Sequence, residues 1–223
     1  METNVSGEGE KMRVLVKICG LTSVEEARML VEEKVAFGGV VLFYEKSKRY
    51  CTPGKAKEIV RVLKDGGVKA VAVTVSPGPE QVRAIEEIGF DYLQIHGALG
   101  KEVLEQCKVP VIRAFNMTNM GEMEEMRENE KIAGWLFDAA LPGEGKTLDW
   151  EVLKEIERDG KLFFLAGGLT AENVEEAIGR TKPNVVDVSS GVEYEDAGEI
   201  ERKGYRKDRG KIREFVRKVK NYD

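Results

Sequence analysis

Arg13-Val14-Leu15-Val16-Lys17-Ile18-Cys19-Gly20-Leu21-Thr22-Ser23 is the stretch that decides the fold. A β-branched, apolar run gives way to a glycine. Hydroxyl residues then stand just ahead of Glu25 and Glu26, the pattern of a helix N-terminus. Strand, tight turn and capped helix start thus follow one another directly, which is the beginning of a βα unit. The same pattern recurs to the end of the chain. Strands are expected at 13–18, 39–43, 70–75, 92–96, 109–115, 134–137, 162–166 and 185–188. Helices are expected at 23–34, 53–65, 79–88, 101–106, 120–129, 150–158, 170–180 and 207–220. Eight such units predict an α/β fold with a single closed parallel (βα)8 TIM barrel, in which the first and last strands pair. A doubly wound open sheet is the competing arrangement, and it rarely takes eight regular units.

The chain of 223 residues suits one such domain. Residues 1–11 are polar and acidic and read as a disordered tail, leaving 12–223 as the barrel. Net charge is -5, which argues against nucleic acid as the main partner. The basic run Arg202 to Lys220 is interleaved with acids and reads as a solvated helix face. Cys19, Cys51 and Cys107 are odd in number and lack metal-type spacing, and there is one histidine, so neither a disulfide framework nor a metal site is expected. No apolar run approaches a membrane-spanning length and no signal peptide is evident, so a reduced, cytoplasmic protein is expected.

In a barrel every strand ends on one face of the molecule, where the chemistry sits. The ends present Cys19, His96, Asn116 and Asp138, with glycine-rich turns at Gly167-Gly168 and Ser189-Ser190-Gly191. Those two turns follow strands seven and eight, where barrels bind phosphate through backbone N–H groups. Tight βα turning alone would also account for the glycines. Lys17 shares a strand face with Cys19, and Asp187 with Ser189. Strands one and eight are neighbours in a closed barrel, so Lys17 and Asp187 are expected to form an interior ion pair beneath the site.

Six segments in order carry a family resemblance: Lys17-Ile18-Cys19-Gly20, Tyr44 to Tyr50, Gln94-Ile95-His96-Gly97, Asp138 with Gly143 to Trp150, Ala166-Gly167-Gly168-Leu169, and Val186 to Glu193. Together they resemble the phosphoribosylanthranilate isomerases of tryptophan biosynthesis, from about Arg13 through the last helix. The resemblance implies a ribulose-phosphate-binding barrel that isomerises an aminoaldose to an aminoketose without a cofactor. It implies Cys19 as general base and Asp138 as general acid, with Arg49 holding the anthranilate carboxylate through its planar fork. Asp138 as a mere cap and Arg49 as an exposed basic turn are the plainer readings. An acid walled by Leu136 and Phe137 can stay protonated, while a thiol needs positive potential to ionise. His96 either contributes a hydrogen bond in the mouth or is a satisfied structural histidine. The implied partner is a small phosphosugar, with substrate-binding residues Arg49, His96, Gly167, Gly168, Ser189, Ser190 and Gly191; the oligomeric state is open.

The chain departs from the family pattern in three places. Pro142-Gly143-Glu144-Gly145 brings a proline and a carboxylate into the loop after Asp138, which bears on loop closure and affinity. Strand three ends Val75-Ser76-Pro77 where relatives carry a different polar residue. The segment 194–206 looks longer than usual and reads as an extended surface loop. Another cofactor-free aminoaldose isomerase, or a barrel that binds phosphosugar without turnover, are the competing functions. Cys19 in place of a first-strand aspartate speaks against the former.

Overall fold

A computed structural model describes residues 13–115, 121–138 and 150–222. The expected tail at 1–11, Asn116, the start of the fifth helix at Met120 and the Pro142–Gly145 loop lie outside the described residues. Eight parallel strands close into a barrel in chain order. They are β1 (Leu15–Cys19), β2 (Phe37–Val41), β3 (Lys69–Val75), β4 (Tyr92–His96), β5 (Val111–Phe115), β6 (Ile132–Asp138), β7 (Leu162–Ala166) and β8 (Val185–Val188). Closure is made by β1 against β8, with Lys17 opposite Asp187 in the register.

The period of two along each strand separates two cores. One face packs inside the barrel, where Phe37, Val71, Ile112, Leu136 and Phe164 meet; Phe37 and Phe164 sit edge to face with centroids 5.6 Å apart. The other face, including Ile18, Val40, Leu93, Phe137 and Leu165, packs under the helices. Each fully buried side chain of this size contributes roughly 1.5–3 kcal/mol. Phe137 is therefore turned away from the barrel mouth. Asp138 has Leu136, not Phe137, as its apolar neighbour on the inner face, which corrects the expected wall of that acid.

Helices α1 (Val24–Glu32), α2 (Pro53–Asp65), α3 (Pro79–Ile88), α4 (Lys101–Gln106), α5 (Glu122–Met126), α6 (Trp150–Lys154) and α7 (Val174–Thr181) follow β1 to β7. Their starts follow local chemistry. Ser23 and Glu26 form a capping box on α1, and Pro53 and Pro79 occupy first-turn positions of α2 and α3. Several element ends shift by a few residues from the sequence reading, and two differences matter more. β2 runs 37–41 rather than 39–43, because Phe43 takes a left-handed φ of 55° that no strand accommodates. Segment 194–206 is not merely an extended loop. It holds α8 (Ala197–Lys203), capped by Asp196 at the start and by left-handed Gly204 at the end.

The ends of that excursion are stitched together. Glu193 and Lys207 form an isolated antiparallel bridge, flanked by hydrogen bonds from Tyr194 N to Arg206 O and from Asp208 N to Val192 O. The last helix, α9 (Arg209–Tyr222), then packs along α7 and α1. Its cations meet carboxylates on those neighbours: Arg209 with Glu32, Arg213 with Glu33 and Lys218 with Glu175. Lys207 breaks the expectation of a solvated basic face, since it is fully buried. No helix among the described residues is long and apolar enough to cross a membrane.

Candidate active site

At the C-terminal ends of the strands lies a cavity of about 270 Å³. Cys19 closes β1, His96 closes β4 and Asp138 closes β6, and all three line it. Gly167, Gly168, Ser189, Ser190 and Arg49 line it as well. A larger groove of about 820 Å³ runs over α2 beside Arg28, Lys57 and Arg61, and none of the strand-end residues reaches it. Of the expected catalytic and substrate-binding residues, Gly191 is the one off this cavity wall. A side chain there would overlap the Leu169 carbonyl, so Gly191 instead lets the turns after β7 and β8 touch.

Cys19 sits over a buried ion pair. Lys17 Nζ donates to Asp187 Oδ2 at 2.8 Å, and both residues are almost wholly buried. Burial presses the Lys17 ammonium down, but Asp187 and Cys19 outweigh it and raise its pKa. Burial pushes the Cys19 thiol up, and Lys17 pulls it back only in part because Asp187 opposes. Lys207 and Arg49 add smaller downward pulls. The interior pair read from the period of two is therefore present. Burial nevertheless leaves the thiol protonated at neutral pH. Gly39 on β2 is pressed against this group: a Cβ there would stand 3.0 Å from Cys19 Sγ and 3.2 Å from Lys17 Nζ.

His96 has its Nε2 2.8 Å from Gln94 Nε2. Burial, with Lys17 and Arg113 adding to it, lowers its pKa to about 4. It is a neutral imidazole at pH 7, and so accepts from the Gln94 amide while facing the cavity. Gln94 itself, passed over as a site residue, also lines the wall, and its Oε1 is buried without a protein partner. The Ser189 hydroxyl donates to Cys19 O at 2.9 Å, tying the β8 turn to the β1 turn. Gly167 and Gly168 have φ of 93° and 64°, conformations that glycine adopts without strain.

Arg49 lies over Gly20, whose positive φ and missing side chain make room for it. Its Nε and Nη2 donate to Glu193 Oε1 and Oε2 at 2.5 and 3.1 Å. Lys207 Nζ donates to the same carboxylate at 3.1 Å and to Ser189 O at 3.0 Å. Burial would raise the Glu193 pKa, yet the Arg49 hydrogen bond and the charges of Lys207 and Arg49 hold it at about 2. Lys207 is fixed in turn by Glu26, whose Oε1 accepts from the Arg206 and Lys207 backbone N–H groups at 2.8 Å each. Its Oε2 accepts from Thr22 and Ser23 in the turn after β1. Sequence reasoning missed Glu193, Lys207 and Glu26. Glu193 closes a quoted motif and Lys207 opens a helical run, but nothing in their spacing, 144 and 181 residues from Arg49 and Glu26, announces the contacts.

A closed parallel barrel with titratable side chains at its strand ends, over a mouth floored by glycine turns, has the build of a (βα)8-barrel enzyme. Comparison with known proteins narrows this. A family model described as N-(5'-phosphoribosyl)anthranilate (PRA) isomerase matches residues 16–218. The N-(5'-phosphoribosyl)anthranilate isomerase of Aquifex aeolicus is 40% identical over 217 residues, covering 93% of this chain and 99% of its own. The crystal structure of phosphoribosyl anthranilate isomerase from Thermotoga maritima superposes with a TM-score of 0.78 at 34% identity, covering 93% of this chain and 99% of that one. A phosphoribosyl anthranilate isomerase in complex with reduced 1-(o-carboxyphenylamino)-1-deoxyribulose 5-phosphate gives 0.76 at 32% identity, over 93% and 99% of the two chains. The chain belongs to the N-(5'-phosphoribosyl)anthranilate isomerase family.

Proposed function

We propose that this barrel carries out its family's Amadori rearrangement in tryptophan biosynthesis, with Asp138 as general acid and Cys19 as general base. The substrate is N-(5'-phosphoribosyl)anthranilate and the product 1-(2-carboxyphenylamino)-1-deoxyribulose 5-phosphate. The observation that carries the reading is the single cavity lined by Cys19, Asp138, Arg49 and the turns after β7 and β8.

In this reading the phosphate sits against Gly167, Gly168, Ser189 and Ser190, whose backbone N–H groups suit an anion. Arg49 takes the anthranilate carboxylate. Asp138 gives its proton to the furanose ring oxygen; the C1'–O bond breaks as the anilino nitrogen's lone pair forms the C=N bond. The resulting iminium is positive and lies beside C2'. That charge acidifies the C2' proton and favours the thiolate form of a cysteine whose pKa burial has raised. The Cys19 thiolate accepts the C2' proton, and the electron pair left behind forms the C1'=C2' bond as the C=N π pair returns to nitrogen, giving a neutral enolamine. Tautomerisation moves one proton from the C2' hydroxyl to C1', giving the ketone. The thiol proton lost before C2' is deprotonated goes to solvent and solvent returns one to Asp138 afterwards, so protons given and taken balance, as an isomerisation requires. His96, neutral at pH 7, contributes a hydrogen bond and no charge. A reducing cytoplasmic setting suits Cys19, Cys51 and Cys107, all free thiols.

The test is turnover of freshly generated substrate by the purified chain, followed by the change in anthranilate fluorescence. Turnover at enzyme concentrations far below substrate is the expected result. A folded protein that binds the reduced product analogue and yet does not accelerate the reaction would replace this reading with a passive phosphosugar-binding barrel.

A further inference from the structure

We infer that Glu193 is a positioning residue for the carboxylate-binding arginine, and so sets the preference for a substrate bearing a carboxylate. The inference rests on the proposed role of Arg49.

The geometry has a front and a back. Arg49 and not Glu193 is among the described residues lining the cavity. Glu193 takes the Nε and Nη2 edge of the guanidinium, at 2.5 and 3.1 Å. A guanidinium carries five N–H donors in a rigid plane, so a fork held along that edge still offers Nη1 to a second carboxylate. Glu193 therefore does not compete with a ligand for Arg49; it fixes the plane that the ligand meets. An arginine side chain otherwise loses rotamer entropy on being ordered. Here that loss is incurred in the folded protein before any ligand arrives.

Glu193 is itself held from behind. It is 4% exposed, and the fully buried Lys207 donates to its Oε1 at 3.1 Å. Lys207 balances the carboxylate, so the guanidinium keeps a positive field toward the cavity instead of being neutralised by its own partner. Glu26 pins the backbone of Lys207 to the turn after β1. Gly20, in that same turn, supplies the space through which the Arg49 stem passes. The excursion at 194–206 thus begins and ends on the pair that aims Arg49.

The experiment measures dissociation constants for two reduced product analogues, one carrying the anthranilate carboxylate and one with aniline in its place. Neither needs to be turned over, so a barrel without isomerase activity still gives an answer. Glu193→Gln should weaken the carboxylate analogue about tenfold or more and the aniline analogue less than about twofold, the difference expected for a misaimed charged hydrogen bond. On an Arg49→Ala background Glu193→Gln should cause no further loss. Glu193→Asp keeps the charge that Lys207 needs but shortens the arm. It should show the same selective loss in a protein of near wild-type thermal midpoint, whether or not Glu193→Gln folds. Equal weakening of both analogues, no weakening of either, or losses that multiply with Arg49→Ala would each overturn the inference.

Discussion

Cys19 is a half-buried thiol between opposing influences: Lys17 below it, Asp187 behind Lys17, and desolvation around it. Its position depends on a residue that contributes no side chain at all. Gly39, paired with Cys19 in the β1–β2 register, leaves room for the sulfur and the ammonium. Gly39→Ala would place a methyl group 3.0 Å from Sγ, tighter than most real contacts, and the sulfur, which borders the cavity, is the atom expected to shift. We expect kcat to fall at least about tenfold while the thermal midpoint moves by only a few degrees, as overpacking at one site costs about 1–3 kcal/mol. Kinetics and a melting curve on the one variant decide it; unchanged kcat would mean that Cys19 is not tightly positioned. Cys19, Asp138 and His96 were legible in the sequence because a strand end is a position that spacing can locate. Glu193 and Lys207 were not. Their importance is a long-range contact between charged residues, which looks like ordinary surface charge until the chain has folded.

At the scale of elements, the joint between β1 and β8 closes the barrel and carries the buried pair Lys17–Asp187. This pair was readable from the period of two once the barrel was assumed, since only closure makes strands one and eight neighbours. Lys17→Met leaves the Asp187 carboxylate buried and unpaired, which should destabilise the fold by about 3–5 kcal/mol. Lys17→Met with Asp187→Asn removes both charges and should recover most of that loss in urea denaturation. A single variant as stable as wild type would show that the pair does not hold the joint. The excursion carrying α8 was misread as plain loop for a local reason. Its helix is short, has no fully buried residue, and so shows no apolar stripe in the sequence. β2 was displaced because its apolar run continues through Leu42 and Phe43 in the sequence, whereas the left-handed φ at Phe43 takes the chain out of the strand.

For the molecule as a whole, acid is the condition that separates the folded site from the unfolded chain. His96 has its pKa lowered from 6.5 to about 4, so between those values the unfolded chain binds a proton that the folded one refuses. Glu193 is lowered from 4.5 to about 2, and the same holds across that lower window. Both shifts make stability rise with pH, so it is full above about pH 7 and falls on acidification. The loss starts near 6.5 through His96 and continues below 4.5 through Glu193, each contributing about 3 kcal/mol once fully titrated. Urea midpoints at pH 7.5, 5.5 and 4 should fall in that order, and a flat series would refute the burial of His96 as a neutral group. The whole-molecule architecture was the most legible feature, because eight repeated units leave few ways to close a sheet. The division of labour at the mouth stands or falls on turnover by Cys19→Ser and Asp138→Asn measured beside the wild type. Both variants should bind the reduced product analogue and lose at least about 10²-fold in kcat, the share that acid–base groups supply. Either variant turning over within about tenfold of wild type would contradict the assignment.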